Sequence, residues 1–368
     1  MIYTVFKIVK TIKMKISMIS LKNIFLGSLI LSSSALFAGN EDRVGSAGAS
    51  HLLVNPWARS SAMGDASIAN STGIEATYTN IAGLASLTKT QIKFNYSNWM
   101  GTASGIGFNS AGLAQRISDN SVFSVSIQSM NFGDIPITTV ANPEGNIGSF
   151  SPRINVFNIG YAKSFSTTIS GGINFKVISE SMSNMKASGV AIDVGVRYVT
   201  GEQEQVKFGI ALKNVGPTMK YKGDGFNEQA YNATTGNIAT FNQRTQEFEL
   251  PALLNIGASY DFIFDEKSKL TSIFGYTANS FSYDQFRLGL DYAMVTESLA
   301  FNIRGGFVYE KNIFSSVNRS NALVGPTAGF SVDALVGKNK SALGIEYTSR
   351  FAGVFGVIHT LGATISIK

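Results

Sequence analysis

His51 and His359 are the only histidines in the chain, and there is no cysteine. A protein metal site needs several imidazole, thiolate or carboxylate ligands converging at short spacing. Two isolated histidines do not supply that pattern. His359 moreover falls on the apolar side of an alternating segment. No Ser-His-Asp arrangement is legible. Gly105-Ile106-Gly107 lies inside a strand-like alternation and not ahead of a helix, so it does not read as a phosphate loop. The lack of cysteine excludes a disulfide framework and an acylated lipoprotein anchor. These residues predict a protein that is not an enzyme and holds no metal or cofactor.

The remaining candidates for chemistry are charges embedded in apolar sequence: Lys176, Asp193, Arg197, Lys207, Arg287, Asp291, Arg304 and Glu346. The segments that carry them alternate strictly. In 188–199, Val190, Ile192, Val194, Val196 and Tyr198 share one face, and Gly189, Ala191, Asp193, Gly195 and Arg197 share the other. In 283–293, Phe286, Leu288, Leu290 and Tyr292 oppose Arg287, Gly289 and Asp291. Such period-two alternation is the mark of strands with one apolar and one polar face. Similar stretches run over 91–99, 105–116, 122–130, 153–163, 168–178, 205–213, 253–262, 270–277, 298–310, 322–332, 342–349 and 357–367. That makes fourteen segments, an even number.

Alternation alone does not say which face is outermost. Length does: these runs match the roughly 9–11 residues of a tilted membrane strand, not the roughly 5–6 of a soluble one. Loop parity points the same way. With the processed N-terminus taken to start in the periplasm, the long connections 132–152, 179–187, 215–249 and 311–321 all fall on one side. Turns such as Ser118-Asp119-Asn120 and Lys338-Asn339-Lys340 fall on the other. Long outer loops and short inner turns are the pattern of an outer-membrane barrel. The reading is all-β, a 14-stranded antiparallel transmembrane β-barrel closed between its first and last strands. The inward charges of both signs then pair with one another and with whatever fills the lumen.

Residues 1–38 read as an export signal, with Lys13, Lys15 and Lys22 ahead of an uncharged apolar run over 24–37 and Ala38 at the cleavage point. A start at Met14 or Met18 would leave a signal of conventional length. The run is shorter than a spanning helix requires. This segment holds five Lys and no acidic residue, so the rest of the chain has 25 basic and 24 acidic residues. No basic field remains to attract nucleic acid.

Between signal and barrel lies 39–89, a stretch of small residues that fits neither a long helix nor a clean strand. It predicts a periplasmic plug, or hatch, inside the barrel of 90–368. Arg59 is expected to meet an inward carboxylate such as Asp193, Asp291 or Glu346. The connection 215–249 shows no clear element of its own. Its aromatic residues Tyr221, Phe226, Tyr231, Phe241 and Phe248 could form a rim that binds a protein partner.

The plug segment resembles that of the PorV/PorQ family, FadL-like outer-membrane proteins of the type IX secretion system. There "ARA-x-x-MGGA" precedes "NPAGLA". Here Ala58-Arg59 and Met63-Gly64-Asp65-Ala66 occupy the first motif, and Asn80-Ile81-Ala82-Gly83-Leu84-Ala85 the second, with Ile81 where Pro is expected. Lys213-Asn214-Val215-Gly216-Pro217, then Leu250-Pro251-Ala252 and Asn255-Ile256-Gly257-Ala258-Ser259-Tyr260, resemble the family's pattern around its long loop. The chain ends on Ile367-Lys368 and not on an aromatic residue. The resemblance implies a barrel in outer-membrane lipid that binds the C-terminal signal domain of exported cargo and a translocon subunit, and passes cargo to surface attachment. Both PorV-like and PorQ-like roles fit. The first motif is shared with fatty-acid transporters, so a carrier of hydrophobic small molecules is the competing reading, and a purely structural barrel a third.

Overall fold

The computed structural model describes residues 39–367 apart from 102–103, 233, 235, 316 and 338–340. The expected signal, the turn at Lys338-Asn339-Lys340 and Lys368 lie outside the described residues. Fourteen antiparallel strands close into one barrel. They are β1 Thr90–Trp99, β2 Ile106–Ser118, β3 Ser121–Asn131, β4 Arg153–Ser164, β5 Ile169–Met182, β6 Met185–Thr200 and β7 Val206–Val215. The second half is β8 Leu253–Ile263, β9 Ser268–Asn279, β10 Gln285–Val295, β11 Leu299–Glu310, β12 Gly325–Val336, β13 Ser341–Phe351 and β14 Val357–Ile367. Each pairs with its neighbours in sequence, and β1 meets β14 from Thr90↔Ile367 to Asn98↔His359, as expected.

The apolar faces point outward. In β6, Val190, Ile192, Val194, Val196 and Tyr198 are exposed while Ala191, Asp193 and Arg197 are buried. A soluble fold would reverse this. Here the outer face is solvated by lipid, and closure leaves no unpaired edge in it. Tyr276, Phe286 and Tyr309 pack side by side across β9–β11 toward one end, at 5.3 and 6.5 Å between rings. Tyr260 and Phe262 pair at 4.7 Å toward the other. Aromatic belts of this kind sit at membrane interfaces.

Loops sort by end. Residues 119–120, 165–168, 201–205, 264–267 and 296–298 make short turns at one end, and 132–152, 216–252 and 311–324 lie at the other. Two expectations are corrected here. Residues 179–187 are not a long connection: the β5–β6 ladder continues to Met182↔Met185, closed by a tight turn with Ser183 at φ 53°. The extension carries Glu180, Ser181 and Lys186, so the apolar alternation fades above the lipid band although the pairing does not. The connection after β7 also has its own elements. Tyr221–Gly223 pairs with β6, and Asn227–Asn232 and Asn237–Asn242 form an exposed hairpin. Both faces of that hairpin are largely polar, which hides it from an alternation test.

A third correction concerns the plug. Gly39 N–H donates to Asp284 Oδ2 at 2.9 Å, at the long-loop end, and the chain reaches β1 at the short-turn end. The segment therefore starts at the outer rim and descends through the lumen; it does not start in the periplasm. The loops still sort by end, because their sides depend only on the end at which β1 starts. Short helical pieces, Ala58–Ala62, Gly73–Thr77 and Ile81–Ser86 among them, make up the descent.

The wall admits this segment through inward glycines. Gly257 faces Gly209 and Gly275 across its two ladders, and Gly289 faces Gly306. A Cβ on Gly257 would stand 2.6 Å from Ile68 Cβ, and one on Gly306 would overlap the Met63–Gly64 peptide. Gly306→Ala is expected to cost about 1–3 kcal/mol through overpacking. Gly305→Ala, facing lipid with nothing nearer than 4.0 Å, should change nothing. Heat-dependent band shifts on gels read both variants. Equal behaviour of the two would show that the plug is not seated on this wall.

Candidate functional site

Descent through a polar lumen makes the plug a partner for the wall's inward charges. Lys93 of β1 is fully enclosed between Glu75 of the plug, which it contacts directly, and Glu346 of β13 at 2.5 Å. The other Glu75 oxygen accepts the Ser60 N–H at 2.8 Å, so one carboxylate also holds an early turn of Ala58–Ala62. Asp65 pairs with Arg350 at 2.5 Å and accepts from Asn55 Nδ2 at 2.6 Å. Arg287 donates to the Asp65 carbonyl at 3.2 Å. Gly64 and Asp65, at φ 62° and 58°, form the sharp left-handed turn that carries Asp65 there. A glycine adopts that turn at little cost, and Asp is among the few other residues that tolerate it.

The other motif residues are likewise spent on seating the plug. Met63 is buried beside Gly289 and Gly306. Asn80 Oδ1 caps the Ala82 N–H at 3.1 Å, and its Nδ2 reaches Ile68 O at 3.0 Å and Val196 O of β6 at 3.1 Å. Gly83 presses on the Ser71 carbonyl with no room for a Cβ. Ile81, standing where proline was expected, is buried, with its Cδ1 3.0 Å from where a Cβ on Gly160 would sit.

Asp193 pairs with Lys176 at 2.7 Å and accepts from Asn214 N–H at 2.7 Å. Arg197 donates to Ser86 Oγ at 3.1 Å and Ser71 O at 3.4 Å. Lys207 pairs with Asp261 at 2.6 Å. Asp291 is held by Arg304 at 3.2 Å, so Arg59 meets it only loosely, at 3.9 Å with 36 % of its side chain exposed. Asp193 and Glu346 are taken by lysines. Sequence reading missed Lys93, Glu75, Asp65 and Arg350. Lys93 shares the inward parity of its strand, which was the available signal, and Glu75 is a lone acid among small residues. Together these groups form a packed polar core and not a lined channel.

The β6–β7 seam departs from regular pairing. Ile192 faces Val215 but Val194 faces Leu212, so β7 bulges at Lys213 and Asn214 and buries both inward. Asn214 takes φ 59°, and Lys213 Nζ lies 3.6 Å from the Tyr78 ring centre. Bulges of this kind end a ladder and redirect a strand. Gly216 then lies against the Val190 carbonyl, and the wall passes to the outer loop.

In that loop the five aromatics divide. Tyr221 packs at a tilt against Phe248 at 5.7 Å and its hydroxyl donates to Glu180 of β5, while Phe248 covers Gly48 of the plug's entry. Phe226 is half-buried. Tyr231 and Phe241 are exposed on the hairpin at 70 % and 45 %, with Ile238 directly opposite Tyr231. Below the loops lies a vestibule of 670 Å³, walled by Trp99, Met130, Phe132, Ile154 and Leu323 and floored by Asp65, Arg287 and Arg350. His51 lines it, buried 3.5 Å from Glu180, and burial followed by the Lys176 charge pushes its pKa down to about 4.

Residues 37–241 match the family model described as Type IX secretion system protein PorV. The chain belongs to the PorV family. The match runs from the start of the plug through β7 and nearly all of the exposed hairpin. A search of curated proteins found no match. Among solved structures, the Pseudomonas putida toluene transporter TodX is 11 % identical, with TM-score 0.54, covering 85 % of this chain and 98 % of its own. A deltaS2S3 mutant of the TodX monoaromatic hydrocarbon channel gives 12 %, 0.53, 84 % and 97 %. The CymD monoaromatic hydrocarbon channel gives 12 %, 0.50, 85 % and 97 %. At these identities the likeness is one of fold alone. This PorV-family chain is an outer-membrane barrel of type IX secretion.

Lys93→Met strands two buried carboxylates beside each other and should cost about 3–5 kcal/mol, with partial recovery when Glu346→Gln is added. Unfolding by denaturant in detergent measures both. Unchanged stability of the single variant would refute the clamp. For His51 the folded pKa of about 4 lies below the unfolded 6.5. Its contribution is therefore full above pH 6.5 and lost as pH falls toward 4. Protease release of the entry segment should rise over that window, and His51→Gln should flatten the rise.

Proposed function

We propose that this barrel receives the C-terminal signal domain of exported cargo at its outer loops and passes it on to surface attachment, with the exposed hairpin Asn227–Asn232/Asn237–Asn242 as the docking element. The carrying observation is the division of the loop. A base made by Tyr221, Phe248 and Glu180 holds up a hairpin on which Tyr231, Ile238 and Phe241 are exposed. Exposed aromatic and aliphatic anchors in a polar frame are the usual energetic centre of a protein interface. The filled lumen favours docking at the rim over passage of a polypeptide through the barrel. A translocon subunit is the natural source of the cargo and a second candidate for the same rim.

The vestibule favours a second reading. Its apolar wall could hold a small hydrophobic molecule, with the polar floor setting orientation. Under that reading the purified barrel retains bound lipid or hydrocarbon detectable by mass spectrometry, and Leu323→Arg empties it.

Replacing 227–242 by a short Gly-Ser turn should leave a folded barrel that no longer co-purifies with signal-bearing cargo or a translocon subunit. Tyr231→Ala with Phe241→Ala should weaken binding at least about tenfold. Undiminished cargo recovery with the hairpin removed would sink the docking assignment.

A further inference from the structure

The entry of the plug segment is tied to the outer rim at Gly39. Asp284, in the connection after β9, is 3 % exposed. Its Oδ2 accepts from Gly39 N–H at 2.9 Å and from the Tyr276 hydroxyl at 2.8 Å, and its Oδ1 lies 3.2 Å from the Asn279 N–H. A Cβ on Gly39 would stand 2.9 Å from Asp284 Oδ1 and from the Ser282 carbonyl oxygen, so the seat takes glycine alone without displacement. A few residues on, Arg43 pairs with Glu249 at 2.6 Å and lies over the Phe281 ring at 4.2 Å. Gly48 N–H then donates to Glu249 O at 3.0 Å. Residues 39–48 thus strap the connection after β9 to the base of the loop after β7.

The residue before Gly39 is Ala38, the small residue at which the export signal reads as ending. We propose that cleavage of the Ala38–Gly39 bond creates the ligand that closes this strap: the new α-ammonium of Gly39 seats on the Asp284 carboxylate. In the cleavage, a signal peptidase adds water across the peptide bond. The oxygen goes to the Ala38 carbonyl carbon, and the Gly39 nitrogen gains the hydrogen and, at neutral pH, a second proton. A neutral amide with one donor becomes a cation with three. The contact with Asp284 then changes from a hydrogen bond assisted by the carboxylate alone to one between unlike charges. Asp284 is already an acceptor for this nitrogen, and the Ser282 carbonyl lies close to Gly39. Removal of the signal and setting of the outer loops are then one event, and an unprocessed chain has a looser rim.

The test uses the processed protein. N-terminal sequencing of barrel purified from outer membranes should begin at Gly39. Three refolded forms are then compared: free Gly39 released from a cleavable fusion, the same chain N-acetylated, and a chain retaining Ala38. The free form should melt about 2–5 °C above the other two and resist proteolysis in 216–249. Asp284→Asn should lower the free form to their level and abolish the difference among the three. A mature terminus elsewhere, or equal melting and proteolysis of the three wild-type forms, would overturn the proposal. Should Asp284→Asn fail to fold, the acetylated and Ala38-bearing forms still decide it.

Discussion

A backbone surrounded by lipid has no water to satisfy its N–H and C=O groups, so it must pair them all within itself. This chain meets that constraint by closing β1 on β14. Everything else follows from the closure. Once the sheet is a cylinder, alternation sends one set of side chains to lipid and the other into an enclosed space. The apolar set goes out, so the charged set must go in, and charges in a narrow lumen need counter-charges.

The wall supplies some itself, as in Lys176–Asp193, Lys207–Asp261 and Arg304–Asp291, and the plug supplies the rest. Its backbone reaches the wall where glycines leave room, and its few ionised residues meet the wall's unlike charges. Removing Lys93 or Arg350 would leave buried carboxylates without their ion-pair partner in a medium of low dielectric. The polar core is therefore interdependent in a way that lipid-facing positions are not. Residues of the plug motif, Met63, Gly64, Asn80 and Gly83, turn out to be positions of contact, capping and turning, which explains their types without invoking a ligand.

The bulge at Lys213 and Asn214 shows how the same wall gives rise to a working surface. By turning two consecutive residues inward it ends the β6–β7 ladder and frees the chain to build an outer loop. Tyr221 and Phe248 then tie that loop to β5 and to the plug's entry. The docking hairpin and the lumen are thus mechanically continuous through His51, Glu180 and Tyr221.

The sequence by itself determined the strand number, the face each strand shows to lipid, the sorting of long loops to one end, and the family through its motifs. Those properties are local: period-two alternation and loop length need no knowledge of distant contacts. What it could not determine depended on the cylinder. Arg59 does meet one of its expected carboxylates, Asp291, at 3.9 Å, but the closer pairs, Glu75 on Lys93 and Asp65 on Arg350, were not legible, because pairing across a barrel depends on strand stagger. The 179–187 hairpin and the one at 227–242 escaped notice because polar strands above the lipid band lose the alternation while keeping their hydrogen bonds. The entry of the plug at the outer rim was likewise a tertiary decision. Nothing in 39–57 says which end of the lumen it enters, and contacts with residues such as Asp284 and Glu249, more than two hundred residues away, hold it there.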